Sequence, residues 1–209
     1  MLAIVDYGGS NLRSVEKAFE HETQDVIVTG DPRLIAEAEA IIFPGQGAFG
    51  DAMRHLQEHG LVEPLLEAVA SGKPFFGICL GLQMLFEESD EMGRHPGLGV
   101  LPGRVERLIT SEKIPHIGWN QIHQAKAHPL LTGIAPGAYA YFDHSYAVRP
   151  SDASLILATT DYGGDIVCAV ARDNIMAVQF HPEKSQAVGL RIVRNFVALV
   201  SASRETAHV

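Results

Sequence analysis

Acyl chemistry at a thiol needs a turn that presents the sulfur, a base to take its proton, and donors for the charge that builds on the attacked oxygen. Gly77-Ile78-Cys79-Leu80-Gly81 offers the turn. It continues the wholly apolar run 75–78, with glycines two residues either side of the sulfur. This is the strand–turn–helix pattern of a nucleophile elbow, with Cys in place of Ser. The glycines let neighbouring backbone come close, and the helix that follows points its N-terminus at the sulfur and favours thiolate. A free Cys, with a pKa of about 8.5, is only slightly ionised at neutral pH without such help. The amide of Leu80, next after the nucleophile, is one expected oxyanion donor. Cys168, in the plain strand sequence Ile166-Val167-Cys168-Ala169-Val170, reads as core.

The chain has 10 histidines, so a lone His carries little weight. His181-Pro182-Glu183 differs because it follows the apolar run 176–180 and so ends a strand. Pro182 biases His181 toward extended backbone, where residues two apart point to the same side. Glu183 can then hold the His181 ring, fix its tautomer and stabilise the imidazolium. A Cys–His pair with a carboxylate orienter is the apparatus of acyl transfer through a thioester.

Gly45-Gln46-Gly47-Ala48-Phe49-Gly50 matches a dinucleotide-binding pattern, but it follows the third strand rather than the first. It also lacks an acidic residue at the end of a following strand. An oxyanion strand–loop beside Cys79 fits better, with Gln46 and Gly47 supplying backbone amides.

These residues need a scaffold. Strands are expected at Leu2–Val5, 26–28, 40–43 and 75–78, the last buried on both faces. Ser10 or Asn11 could cap a helix carrying Leu12, Val15 and Phe19 on one face. Met53, Leu56, Leu61, Leu65, Leu66 and Val69 mark a helical region that ends at Gly72-Lys73-Pro74. Leu82, Leu85 and Phe86 continue helical spacing after the elbow. The second half reads as strands at 104–109, 138–142, 155–160, 166–171 and 176–180, closed by a helix from 185 to about 200. The expected fold class is α/β: a mostly parallel central sheet flanked by helices, with an antiparallel extension in the second half, in a single domain spanning 1–209.

Composition narrows the function classes. Hydrophobic residues make up 46% and charged residues 20%, as in a compact globular core. The net charge of −9 argues against binding a nucleic-acid backbone. The apolar stretch 74–86 is shorter than the about 20 residues of a membrane span. No secretory signal is visible at the start, and two cysteines in unrelated contexts do not make a disulfide framework. A cytoplasmic location is the expectation.

Taken together, Pro44-Gly45-Gln46-Gly47, Gly77-Ile78-Cys79-Leu80-Gly81-Leu82-Gln83 and Phe180-His181-Pro182-Glu183 resemble the three landmarks of class I, triad-type glutamine amidotransferases. They stand in family order, and the resemblance covers essentially the whole chain. Leu85-Phe86-Glu87-Glu88-Ser89, Ile114-Pro115-His116-Ile117-Gly118-Trp119-Asn120, Tyr141-Phe142-Asp143-His144-Ser145-Tyr146 and His181-Pro182-Glu183-Lys184-Ser185 look like the glutaminase subunits of imidazole glycerol phosphate synthases, of histidine biosynthesis.

The resemblance implies Cys79 as nucleophile, His181 as general base and acid, and Glu183 as orienter. It implies that Gln83, His144, Ser145 and Tyr146 help to hold glutamine, with Glu91 assisting. The ammonia would pass to a (β/α)8-barrel cyclase, in a heterodimer, and join a phosphoribulosyl-type intermediate. The products there are imidazole glycerol phosphate and an aminoimidazole carboxamide ribotide. Asn11, Trp119, Tyr141 and Lys184 would lie on or near the cyclase-facing side, Trp119 on an exposed Gly118-Trp119-Asn120 turn. No metal or cofactor is expected. The wider class often has Gly-Gly where this chain has Gly45-Gln46. Positive φ is costly for a non-Gly residue, so the Gln46 amide is expected not to be aimed at the oxyanion without the partner. The alternatives are a glutaminase subunit of a pyridoxal phosphate or anthranilate type synthase, a non-catalytic binding subunit of the same fold, and a cysteine peptidase or redox-type elbow protein.

Overall fold

A computed structural model describes residues 1–9 and 11–207. The first half alternates strand and helix: β1 (Leu2–Val5), α1 (Leu12–Glu20), β2 (Val26–Thr29), α2 (Pro32–Glu37), β3 (Ala40–Gly45), α3 (Phe49–Glu58), α4 (Val62–Ala70), β4 (Phe75–Cys79) and α5 (Leu80–Met84). The second half is rich in strands: β5 (Phe86–Ser89), β6 (His95–Pro96), β7 (Leu101–Arg107), β8 (His116–Gln121), β9 (His123–Gln124), β10 (Tyr139–His144), β11 (Tyr146–Pro150), β12 (Ile156–Asp161), β13 (Asp165–Arg172) and β14 (Ile175–Val178). A long helix, α6 (Gln186–Ala207), closes the chain.

The main sheet has the order β2-β1-β3-β4-β14-β13-β12-β9. Its first five strands are parallel, and β13, β12 and β9 extend it antiparallel. The α/β class with a parallel core and an antiparallel extension is therefore present as expected. A four-stranded sheet, β11-β7-β5-β6, and a ribbon, β10-β8, stand beside it.

Strand residues alternate between two cores, as a period of two requires. Leu2 and Ile4 face Phe19, Phe76 and Phe196, under α1 and α6. Ala3 and Val5 face Phe43, Phe75 and Leu65, under α2, α3 and α4. Phe76 stacks on Phe196 at 5.0 Å, and Phe19 meets the same ring edge-on at 6.2 Å. Each such burial contributes about 1.5–3 kcal/mol.

Several expected elements differ. The helical spacing through Leu85 and Phe86 stops at Met84, and Phe86 opens β5, which pairs in parallel with β7. The pairing partner is distant in sequence, so tertiary contact overrides local spacing. The helical region 49–70 is two helices, broken at Gly60 with φ 64. Gly118-Trp119-Asn120 is not a turn but the middle of β8, paired with β10. The strand expected at 104–109 runs from Leu101 to Arg107, and the closing helix continues to Ala207. Asn11 occupies the N-cap position of α1 with φ 69 but makes no side-chain cap bond there; Ser10 lies outside the described residues.

Parallel register brings the chemistry together. Gly45 lies opposite Cys79, and Val178 opposite Ile78. The ends of β3, β4 and β14 therefore sit abreast, with the 45–47 loop on one side of the thiol and the 179–183 segment on the other.

Candidate active site

Cys79 joins β4 to α5 with φ 55 and ψ −110, a conformation that costs a non-Gly residue about 1–3 kcal/mol. Close packing holds it there. A Cβ on Gly81 would stand 1.7 Å from Phe43 O, and one on Gly77 would stand 3.1 Å from Gly81 O. A Cβ on Gly45 would meet Tyr7 Oη at 2.5 Å and Leu80 Cβ at 2.9 Å. A larger residue at Gly81 or Gly45 would collide and one at Gly77 would be tight, so the elbow is pressed against the 45–47 loop. The helix behind the sulfur is shorter than expected: α5 has five residues. What it offers the sulfur is the N–H groups of one turn rather than a full macrodipole.

His181 follows β14 and is 2% exposed. Its N–H donates to Tyr141 O at 2.9 Å, and its carbonyl accepts from Ser185 Oγ at 2.6 Å, so its backbone is pinned on both sides. The ring Nδ1 lies 2.8 Å from Glu183 Oε1, with both side chains almost wholly shielded from water. A carboxylate can only accept, so Nδ1 carries the proton and the other ring nitrogen is left for the thiol. Burial pulls the His181 pKa down, but hydrogen bonds from the ring to Cys79 and Glu183, with their negative charge, outweigh it and raise the ring to about 10. Glu183 does not reach His181 along extended chain. Pro182–Lys184 form a 3₁₀ turn, and the turn swings the carboxylate back onto the ring. Asn11 Nδ2 also approaches Glu183 Oε1, at 3.5 Å.

A cleft of about 340 Å³ opens over the sulfur. Gln46, Gly47, Leu80, Gln83, Glu91, His144, Ser145 and Tyr146 all line it, together with Cys79 and His181. Every residue expected from the sequence to bind substrate or oxyanion thus faces one space, at the low end of small-molecule sites. Pro115 and Asp143 line it too and were not expected. In the 45–47 loop the left-handed residue is Gly47, φ 96, while Gln46 is not among the positive-φ residues. The strain expected at Gln46 is taken up by glycine instead. Glu91 also supports the scaffold, since its Oε2 accepts from Phe49 N at 2.7 Å and caps α3, whose own N-cap residue is Ala48.

Two buried histidines support the far wall. His144 Nδ1 lies 2.8 Å from Tyr146 O and its Nε2 3.1 Å from His116 Nδ1. Burial lowers both rings to about 4, so both are neutral at pH 7. His116 is clamped between Tyr162, at 3.9 Å, and Phe142, at 4.7 Å.

The four residues expected at a partner face group at one edge. Trp119 is 46% exposed rather than core, and its ring meets Tyr141 at 6.1 Å. Lys184 Nζ sits 5.6 Å over the Tyr141 ring. Asn11 joins them through Glu183. Cys168 is fully buried on β13, and burial pushes its thiol pKa far up, as a core cysteine requires. Gln179 was missed: it lies in an otherwise apolar run, where one polar residue two before His181 was the available signal. Among the described residues no group of three or more His, Cys, Asp or Glu is placed to hold a metal, and no helix is long and apolar enough to cross a membrane.

The family model for class-I glutamine amidotransferases matches residues 3–200. The HisH subunit of imidazole glycerol phosphate synthase from Syntrophotalea carbinolica is 52% identical over 203 residues, covering 94% of this chain and 98% of that protein. The HisH subunit from Aquifex aeolicus is 50% identical over 194 residues, covering 92% and 94%. Among solved structures, a glutamine amidotransferase superposes with TM-score 0.76 at 21% identity, covering 95% of this chain and 98% of that one. PurLQS from Thermotoga maritima superposes with TM-score 0.72 at 18% identity, covering 97% and 98%, which speaks to the fold alone. The chain belongs to the class-I glutamine amidotransferase family, among the HisH subunits of imidazole glycerol phosphate synthase.

Proposed function

We propose that the chain hydrolyses glutamine to glutamate and ammonia at Cys79 and delivers the ammonia to a cyclase subunit. The observation that carries this is a thiol and a Glu183-held imidazole on adjacent parallel strand ends, facing one cleft. The Cys79 proton passes to His181, whose raised pKa holds it, and the resulting thiolate attacks the side-chain amide carbon. The oxyanion takes N–H bonds from Leu80 and from the Gln46–Gly47 loop, each such donor worth about 3–4 kcal/mol in the transition state. The C–N bond breaks as His181 returns the proton to the leaving nitrogen, giving ammonia and a thioester. Water, deprotonated by His181, then releases glutamate and restores the thiol. No step calls on a metal or cofactor.

Gln83, Glu91, His144, Ser145 and Tyr146 are the glutamine-holding set in this reading. Asn11, Trp119, Tyr141 and Lys184 form the docking edge for a (β/α)8-barrel cyclase, giving a heterodimer with lyase chemistry in the partner and a cytoplasmic location. The Gln46 amide turns to the oxyanion only when that partner docks. The test is glutamate release by the chain with and without the cyclase and its ligand. Cys79→Ala should abolish release while co-purification with the cyclase persists. Undiminished release by Cys79→Ala overturns the enzyme reading, and a fast partner-independent rate overturns the proposal for Gln46.

A further inference from the structure

The triad chemistry makes no use of Gln179, yet its amide faces the nucleophile. Gln179 is fully buried, and its Nε2 lies 3.6 Å from Cys79 Sγ. The two ends of an amide have nearly the same shape, so partners must settle which one faces sulfur. Here they do. Tyr146 O can only accept, so the Gln83 group 3.0 Å from it is the NH₂. That NH₂ also lies 3.0 Å from the Gln179 side chain, whose facing atom must then be its carbonyl oxygen. The NH₂ of Gln179 is thereby turned onto sulfur. Its backbone is fixed as well, through a 2.8 Å bond from Gln179 N to Cys168 O.

We propose that Gln179 is a positioning residue for the nucleophile: it holds the Cys79 sulfur over the cleft and donates to it a hydrogen bond that strengthens as sulfur becomes negative. This rests on the reading of Cys79 as the nucleophile. On the other side, Asp143 O lies 4.0 Å from Sγ and can only accept, so it favours the neutral thiol. Gln179 opposes that preference, because a donor to a charged atom makes a stronger bond than a donor to a neutral one. His181, itself held by Glu183, and the Tyr7 phenol bear on the sulfur, and Glu91, Asp143, His144 and Tyr146 share its cleft.

Gln179→Met keeps the length and the burial and removes the donor. In complex with the partner, kcat for glutamine hydrolysis should fall about tenfold with KM within about twofold. The pH midpoint for alkylation of Cys79 by iodoacetamide should rise by about half a unit or more. Gln179→Glu, isosteric but turning an acceptor onto sulfur, should lose at least as much and shift further. Alkylation reads the sulfur without glutamine. A parent chain that alkylates normally but releases no ammonia therefore fails the glutaminase reading and leaves the Gln179 result standing. A folded Gln179→Met variant with the parent's alkylation midpoint overturns the proposal. If that variant does not fold, Gln179→Glu decides by the same readout.

Discussion

Glu183→Gln isolates the carboxylate that holds the His181 ring. The wild-type contact is 2.8 Å between Oε1 and Nδ1, with the two side chains 2% and 3% exposed, so water cannot replace what is lost. A hydrogen bond to a charged group is worth about 1.5–3 kcal/mol, which alone is about 10- to 150-fold in rate. A further loss comes from the tautomer. The new amide can offer N–H to Nδ1, which moves the imidazole proton to the nitrogen facing sulfur and leaves Cys79 without an acceptor. The combined expectation is a fall in kcat of about 10²–10⁴. Glutamate release with the partner present measures it. The apparent pKa of His181 should also drop, because Glu183 is one of the groups holding it up. Turnover within about threefold of wild type would show that the carboxylate does not orient the base, and the triad assignment would fall.

The remaining predictions concern the scaffold. Gly81→Ala must push against Phe43 O, 1.7 Å from the new Cβ, and should lose about 3 kcal/mol or more or fail to fold, read by urea unfolding. Phe196→Ala removes the ring stacked on Phe76 and should cost about 3–5 kcal/mol by the same assay. Stability should also depend on pH at both ends. His116 and His144 titrate near 4 when folded, against about 6.5 unfolded, so the stability they contribute is present above about 6.5 and is lost as pH falls toward 4. His181 titrates near 10, so its contribution is present below about 6.5 and is lost as pH rises through 10; urea midpoints across pH test both limbs, and His116→Gln should flatten the acid one.

The arrangement of the candidate site was legible where covalent spacing dictates it. Gly77 and Gly81 around Cys79 announce a tight strand-to-helix turn, and His181-Pro182-Glu183 announces a ring with an orienter, because both depend on neighbours in sequence. The succession of strands and helices in the first half followed from alternating apolar runs. What stayed hidden depends on neighbours in space. Leu85 and Phe86 keep helical spacing, yet β5 forms because β7 is there to pair with it. Glu91 caps α3 from 42 residues away, and Gln179 finds its sulfur 100 residues away. Trp119 is exposed, as its setting suggested, but β10 pairing makes that setting a strand rather than a turn.

The insertion of β14 between β4 and β13 has a consequence for synthesis. The sulfur is synthesised long before the imidazole that faces it, and β14, which leads to that imidazole, is the last strand of the sheet to be made. A nascent chain carries an unarmed thiol. Truncation anywhere short of β14 leaves a polypeptide without His181, and so, on the proposed mechanism, without the base for Cys79.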